Sequence, residues 1–494
     1  MLALPLRGVS LPVSPEYLRA KMHDPDNTEV TKDMEEQLAE LAAQVAAIEA
    51  KGNMTNTMFA ETYYYLTIPL MIIIHAGFLA YEMGASRAKN ALSSGVKNIL
   101  AIAFVIPAFY FFGWWVYWAF PTGFSLSAGP NEISGAAYAN SFAWGWGEAS
   151  AYMGPNTEDQ ISGVFWGAFT LFAATTASIM SGAVIERIQT VGFVILAIVL
   201  GGFSWTLAAA WGWHADGWLV QQWGVHDFGA AGLVHAVAAF FALGVLMNLG
   251  PRIGKFNEDG TANHLAAHNL PFTATGLMLI IVGFWGFLMA CLVVGGEGWS
   301  WGATFTPIYG TPTNLGALAF NILMGIAGGI IGAWLGTRDP FWMMSGALAG
   351  IISVASGLDI YWPSLVFIIA FGAGVILKPA ANVLEKMGID DAVGAVTVHG
   401  TIGIYGMLAL GIFASGYPAL SGADAPTVSL MGQIVGSVVF VAIGLSTGWV
   451  SSFILKMLGM LRVPEAAEIA GLDTVKVPAQ AYPEGITPSP PASV

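Results

Sequence analysis

The chain is poor in charge. Asp, Glu, Lys and Arg make up 10% of its 494 residues, against about 25% in soluble domains. It has one cysteine, Cys291, which excludes an intrachain disulfide framework and most thiolate metal sites. No phosphate-cradling loop ending in Gly-Lys-Ser or Gly-Lys-Thr occurs, so ATP drive within the chain is not expected. The N-terminus lacks a charged-then-apolar secretory pattern, because residues 1–57 are polar and mixed. The formal net charge of −14 argues against a nucleic-acid partner. No metal, cofactor or enzymatic reaction is implied.

What is abundant is apolar sequence. The chain is 56% hydrophobic, with many runs of about 20 residues, the length that crosses a bilayer as a helix. The alternating dyad pattern of a membrane barrel is absent. Sixty-one glycines, with many Ala and Ser, suit closely packed membrane helices. The expected fold is therefore an all-α polytopic membrane protein. Eleven spans are predicted at 59–83, 98–120, 161–185, 190–212, 228–249, 270–294, 314–336, 341–357, 362–378, 391–414 and 428–457. Three segments follow: an N-terminal extension 1–57, a membrane domain 58–460 and a tail 461–494. Within the extension, residues 31–51 read as an amphipathic helix with Leu38, Leu41, Val45 and Ile48 at 3-4-3 spacing. Its apolar stripe suits either a surface-lying helix or one that assists oligomer contacts.

The basic residues set the orientation. Beyond residue 57 there are twelve. Arg87, Lys89 and Lys97 follow span one, Arg187 span three, Arg252 and Lys255 span five, and Arg338 span seven. Lys378 and Lys386 follow span nine, and Lys456, Arg462 and Lys476 follow span eleven. All fall after odd-numbered spans, so these loops and the C-terminus are expected in the cytoplasm and the N-terminus outside.

Two histidines lie inside spans. His235 is eight residues after Asp227 and His399 eight after Asp391. Each aspartate would cap a helix N-terminus. Spans five and ten run in opposite directions, so both imidazoles come about 12 Å from their aspartates at ~1.5 Å per residue, near the midplane. That is the mark of a 5+5 inverted repeat plus a final helix, and it suggests one pore built from the two related halves. Away from their ends the spans hold no lysine and no carboxylate, so the polar groups at depth are chiefly these imidazoles. Facing imidazoles can share or pass a proton, or hydrogen-bond a small amine or water. His75 reads as a packing hydrogen bond, and His214, His226 and His264 as solvated loop residues.

At this point the residues resemble the ammonium transporter (Amt/Mep/Rh) family, on the Amt side. The matching blocks are AGFLAYEMGASRAKN, ATTASIMSGAVIERI, DFGAAGLVH, LGPRIGKF, HNLPFTATG, DDAVGAVTVHG and LRVPEAAEIAGLDTVKVPAQAYPEG. The resemblance implies a homotrimer in the cell membrane with one pore per subunit. It implies transport of ammonium or ammonia past twin histidines that match His235 and His399. It also implies an outer site with Trp213 and Asp227, and a closing phenylalanine pair matching Phe172 and Phe287. Ammonium would be recruited in an acidic vestibule (Glu148, Glu158, Asp159, Asp216) and lose its proton near the phenylalanines. The family's outer serine is replaced here by Cys291, and its first-span Gly-Gly pair by Glu82 and neighbours. Gly471, Leu472 and Asp473 match a regulatory tail motif that meets PII-type signalling proteins. Two further readings are an ammonium sensor and a neutral gas channel of the Rh type.

Overall fold

The structure is a computed structural model. It describes residues 28–124, 160–214, 216–292, 294–295, 298–299, 307–308, 311–417 and 426–483. The chain divides into two compact units, Met1–Ala60 and Glu61–Val494. In the first, Leu38, Leu41, Val45 and Ile48 are all exposed.

Among the described residues, ten helices are long and apolar enough to cross a membrane, and one shorter apolar helix joins them. In chain order they are α1 (Thr28–Ala85), α2 (Ala88–Ala119), α3 (Gln160–Ala183), α4 (Thr190–Gly212), α5 (Ala231–Leu249) and α6 (Leu270–Cys291). There follow α7 (Leu315–Thr337), α8 (Pro340–Ala355), α9 (Pro363–Lys386), α10 (Val396–Phe413) and α11 (Leu430–Met457). The eleven-span reading holds. The short member, α8, is bounded by local chemistry. Asp339 accepts hydrogen bonds from the Phe341 and Trp342 amides, and Pro340 begins the helix. Past its end, the Asn321 side chain from α7 donates to the Leu358 and Tyr361 carbonyls.

Glycines let the backbones approach. A Cβ at Gly276 of α6 would lie 2.2 Å from the Tyr81 amide of α1, and one at Gly329 of α7 would lie 2.1 Å from the Gly346 carbonyl of α8. Without a hydrophobic drive between helices in lipid, such close packing supplies the association energy.

Several basic residues expected in loops are buried in ion-pair networks. Arg252 grips Asp390 with Nε and Nη2 at 2.9 Å each. Arg187 donates to the Asp390 carbonyl at 2.6 Å. Glu186 takes Arg87 Nε at 2.6 Å and lies 3.7 Å from Arg252 Nη1. These pairs tie the loops after α1, α3, α5 and α9 into one basic face.

Lys97, expected in the loop after span one, falls inside α2, and Glu82 sits near the end of α1. Glu82 of α1 and Lys97 of α2 are each only 1% exposed. Glu82 accepts from Ser181 Oγ at 2.5 Å and Asn98 Nδ2 at 2.9 Å. Both charges sit near predicted span ends, where apolar runs begin or stop, and so read as boundary residues.

Candidate functional site

The two histidine-bearing helices begin alike. Asp227 Oδ2 accepts from the Gly232 and Leu233 amides at 2.9 and 2.7 Å. Asp391 accepts from the Ala395 and Val396 amides at 2.9 and 2.7 Å. The expected caps are therefore present. Three residues after each aspartate the backbone turns left-handed, at Ala230 (φ 65°) and Gly394 (φ 74°). A π-helical turn follows in both, Ala231–Ala236 and Val396–Thr401, and each turn carries the histidine. Such turns re-aim side chains and cluster at functional sites.

A Cβ at positive φ costs about 1 kcal/mol, so Ala230 needs support. The Phe228 and Gly229 amides donate to the Ser356 and Ala355 carbonyls at 3.1 and 2.8 Å. Ser356 Oγ donates to Asp227 Oδ1 at 2.6 Å. The end of α8 thus holds the loop that aims His235.

His235 Nδ1 lies 3.0 Å from His399 Nδ1, and the rings stack at 5.1 Å and 24°. Only one proton fits between two nitrogens. With both rings neutral, one Nε2 therefore carries a hydrogen and the other a lone pair. His235 Nε2 is buried and has no hydrogen-bond partner among the described residues. The pair offers one donor and one acceptor.

Aromatic rings cover it. Phe287 stacks on His235 at 6.0 Å, and Phe172 meets Phe287 edge-on at 4.5 Å. Trp213 meets Phe172 edge-on at 5.0 Å, and its Nε1 donates to the Asp227 carbonyl at 2.8 Å. Trp213, Phe172, Phe287, His235 and His399 thus form one continuous file. Cys291, one turn beyond Phe287 on α6, is 2% exposed and donates to the Phe287 carbonyl at 3.3 Å. On the basic face a recess of about 310 Å³ reaches Asp391, lined by Arg252, Lys255, Trp342, Lys378 and Glu385.

Phe284, not singled out from sequence, also stacks on His235, at 5.9 Å, and lies 5.5 Å from Phe287. Its spacing three before Phe287 was the available signal. Ser356 carried no local signal, since it lies 129 residues from its partner Asp227. His214 and His226 are corrections: both are buried. His214 packs edge-on against Trp118 at 4.9 Å, and His226 Nε2 lies 3.1 Å from Asp359 Oδ1. Burial alone would push His226 down, but the Asp359 carboxylate raises it above its ordinary value. Their partners come from distant chain segments, which local polarity does not reveal. His264 is exposed, as expected of a loop histidine. His75 Nδ1 meets Ser178 Oγ at 3.1 Å, the packing contact expected. Of the expected acidic vestibule, Asp216 is half-buried, while Glu148, Glu158 and Asp159 lie outside the described residues.

The model of the Ammonium Transporter Family matches residues 62–482. The chain belongs to this family. It is 31% identical over 436 residues to ammonium transporter Amt2 of Archaeoglobus fulgidus, covering 84% of this chain and 86% of that one. It is 30% identical over 436 residues to ammonium transporter Amt2 of Methanocaldococcus jannaschii, covering 87% and 93%. Among solved structures, the Sensor Amt Protein shares the fold at a TM-score of 0.72 and 24% identity, covering 86% of this chain and 99% of that one. Mep2 of Candida albicans does so at 0.63 and 20%, covering 82% and 86%. The family is one of transporters and not of enzymes.

Within this family member the tail motif is docked. Asp473 accepts from the Leu92 and Ser93 amides at 3.0 and 2.8 Å, capping the start of α2. The Leu472 amide donates to Asn90 Oδ1 at 2.8 Å. Gly471, at φ 107°, lies where a Cβ would meet Lys89 Cβ at 2.7 Å, so no larger residue fits there.

Proposed function

We propose that the chain moves ammonium across the cell membrane through a pore lined by His235 and His399. The supporting observation is the imidazole pair, at 3.0 Å and closed over by Phe172 and Phe287. Ammonium is drawn to the Trp213 ring face by cation–π attraction. The aromatic closure penalises a bare cation, so the proton is shed there and ammonia enters. The donor and acceptor of the pair then replace the water that ammonia loses. The basic face lies in the cytoplasm, by the positive-inside rule. Subunits assemble as homotrimers, each with its own pore. The docked Gly471, Leu472 and Asp473 form the regulatory seam where a PII-type protein acts.

Ammonium pulses on proteoliposomes test this reading. A steady saturable flux is expected; binding without flux would mark a sensor, and vesicle alkalinisation with no current in any condition a gas channel. Replacing His235 and His399 together by alanine is expected to lower flux by at least about 100-fold, the scale of effect for lost positioning at a site. Flux and ammonium selectivity unchanged in that double variant would reject the pore assignment.

Cys291→Ser gives a second result. A hydroxyl is a stronger hydrogen-bonding group than a thiol. A gain of about 1 kcal/mol corresponds to roughly five-fold tighter ammonium capture. Half-saturation of the flux is expected to fall by that factor, with the maximal rate unchanged.

A further inference from the structure

We infer that Glu82 accepts the proton that ammonium sheds, so that the proton crosses beside the ammonia and transport carries charge. The inference rests on the ammonium-transport reading above. A cavity of about 20 Å³ lies between α1, α3 and α10, and both Glu82 and His399 line it. That volume suits one water molecule, which needs roughly 10–15 Å³. Its other walls are mainly apolar, with Tyr81 and Gly182 beside the carboxylate. One water there bridges the imidazole to the carboxylate.

The groups around Glu82 fit a proton acceptor. Ser181 and Asn98 donate to its two oxygens, one each. Lys97 is its nearest cation, and Lys97 Nζ, buried, has no hydrogen-bond partner among the described residues. His399 and Tyr81 face it from α10 and α1. Beyond Lys97 lie Glu186, Arg187 and Asp473 on the basic face. A buried carboxylate with a buried ammonium nearby is costly in a membrane unless it has a task. In its ionised form Glu82 can take a proton, and once neutral it leaves the buried Lys97 unbalanced, which favours release.

The balance is simple. Ammonium gives one proton to the imidazole pair at the aromatic closure and continues as ammonia. His399 passes one proton through the cavity water to a Glu82 oxygen, forming the carboxylic acid. Glu82 releases it to water at the basic face, where ammonia takes up a proton again. One ammonium and one positive charge have crossed.

The test uses full-length protein in proteoliposomes, with ammonium chloride pulses and two readouts: transient current and lumenal pH. Wild type is expected to give current with little alkalinisation. Glu82→Gln is expected to cut the current at least ten-fold, while the lumen now alkalinises faster than in protein-free vesicles. A merely structural role for Glu82 would lower both readouts together. Gly182→Ala keeps the charges but fills the cavity, since its Cβ would lie 3.3 Å from Glu82 Oε1 and 2.5 Å from Val393 Cγ2; the same split is expected. Glu82→Asp is expected to restore at least a third of the current, with a shifted pH profile. If Glu82→Gln does not reconstitute, the Gly182→Ala and Glu82→Asp pair decides. The relay is overturned if Glu82→Gln or Gly182→Ala keeps wild-type current within two-fold, or if current and ammonia entry fall in parallel in them. Ammonia entry without current in the wild type sinks the relay and marks a gas channel, whereas a wild-type current that Glu82→Gln and Gly182→Ala leave unchanged sinks the relay alone. No flux in either readout by the wild type sinks the transport reading itself.

Discussion

Asp227→Ala is expected to lower stability by about 2–4 kcal/mol and ammonium flux by at least about 100-fold. The carboxylate takes three hydrogen bonds: the Gly232 and Leu233 amides on one oxygen and the Ser356 hydroxyl on the other. Losing a cap costs about 1 kcal/mol, and an orphaned buried hydroxyl about 1–3 more. The flux effect is larger because the same bonds hold the left-handed Ala230 and the π turn that aims His235. A displacement of about 1 Å at a site can cost 100-fold. Asp227→Asn separates the two roles. Asparagine caps as well as aspartate, so stability is expected to drop by less than about 1 kcal/mol. Its flux is expected to fall more than ten-fold, because the residue whose carbonyl holds Trp213 Nε1 no longer carries a carboxylate. Thermal unfolding in detergent and ammonium flux in proteoliposomes measure both. An alanine variant with wild-type flux within two-fold would refute the positioning role.

Asp390→Ala is expected to destabilise the protein by about 3–5 kcal/mol, the cost of leaving a buried ion pair half made. Arg252 would lose a two-pronged carboxylate, and Arg187 its nearby counter-charge. The pH dependence follows from the same cluster. Burial pushes Asp390 up, but Arg187 and Arg252 outweigh it and hold the carboxyl well below its ordinary value. Glu186 is likewise lowered on balance, by Arg252 and Arg87 against its burial. A carboxylate with a depressed folded pKa contributes stability above its unfolded value, and loses it as pH falls through the folded one. The cluster is therefore expected to contribute fully from pH 7 down to about 4, the unfolded carboxylate range, and to weaken only below that. Melting temperatures measured from pH 7 to below about 4 should show, below about 4, a steeper acid loss for the wild type than for Asp390→Ala. Equal slopes would show that the pairs contribute nothing measurable.

Composition and pattern were enough for the membrane architecture. A bilayer admits only helices or closed barrels, so runs of about 20 apolar residues leave little choice. The placement of the twelve basic residues then tested the span count, because a wrong count would have scattered them. The Asp-plus-eight spacing of His235 and His399 likewise marked two equivalent helix starts, since caps and helix rise are local properties. Phe172, Phe287 and Trp213 were legible through family resemblance only; aromatic residues in spans look alike until their neighbours are known.

Other features required the folded chain. The Nδ1-to-Nδ1 contact depends on two π turns, which no periodicity announces. Ser356 supports Asp227 from 129 residues away, and Asp473 caps α2 from 380 residues away. Glu82 and Lys97 looked like span boundaries, because hydropathy averages over a window and cannot see a compensating charge on a neighbouring helix. Local sequence determines which segments enter the membrane and where their helices start. Which polar groups meet inside is decided by helix packing, because each buried charge or imidazole is stable only beside a partner that the chain brings from elsewhere.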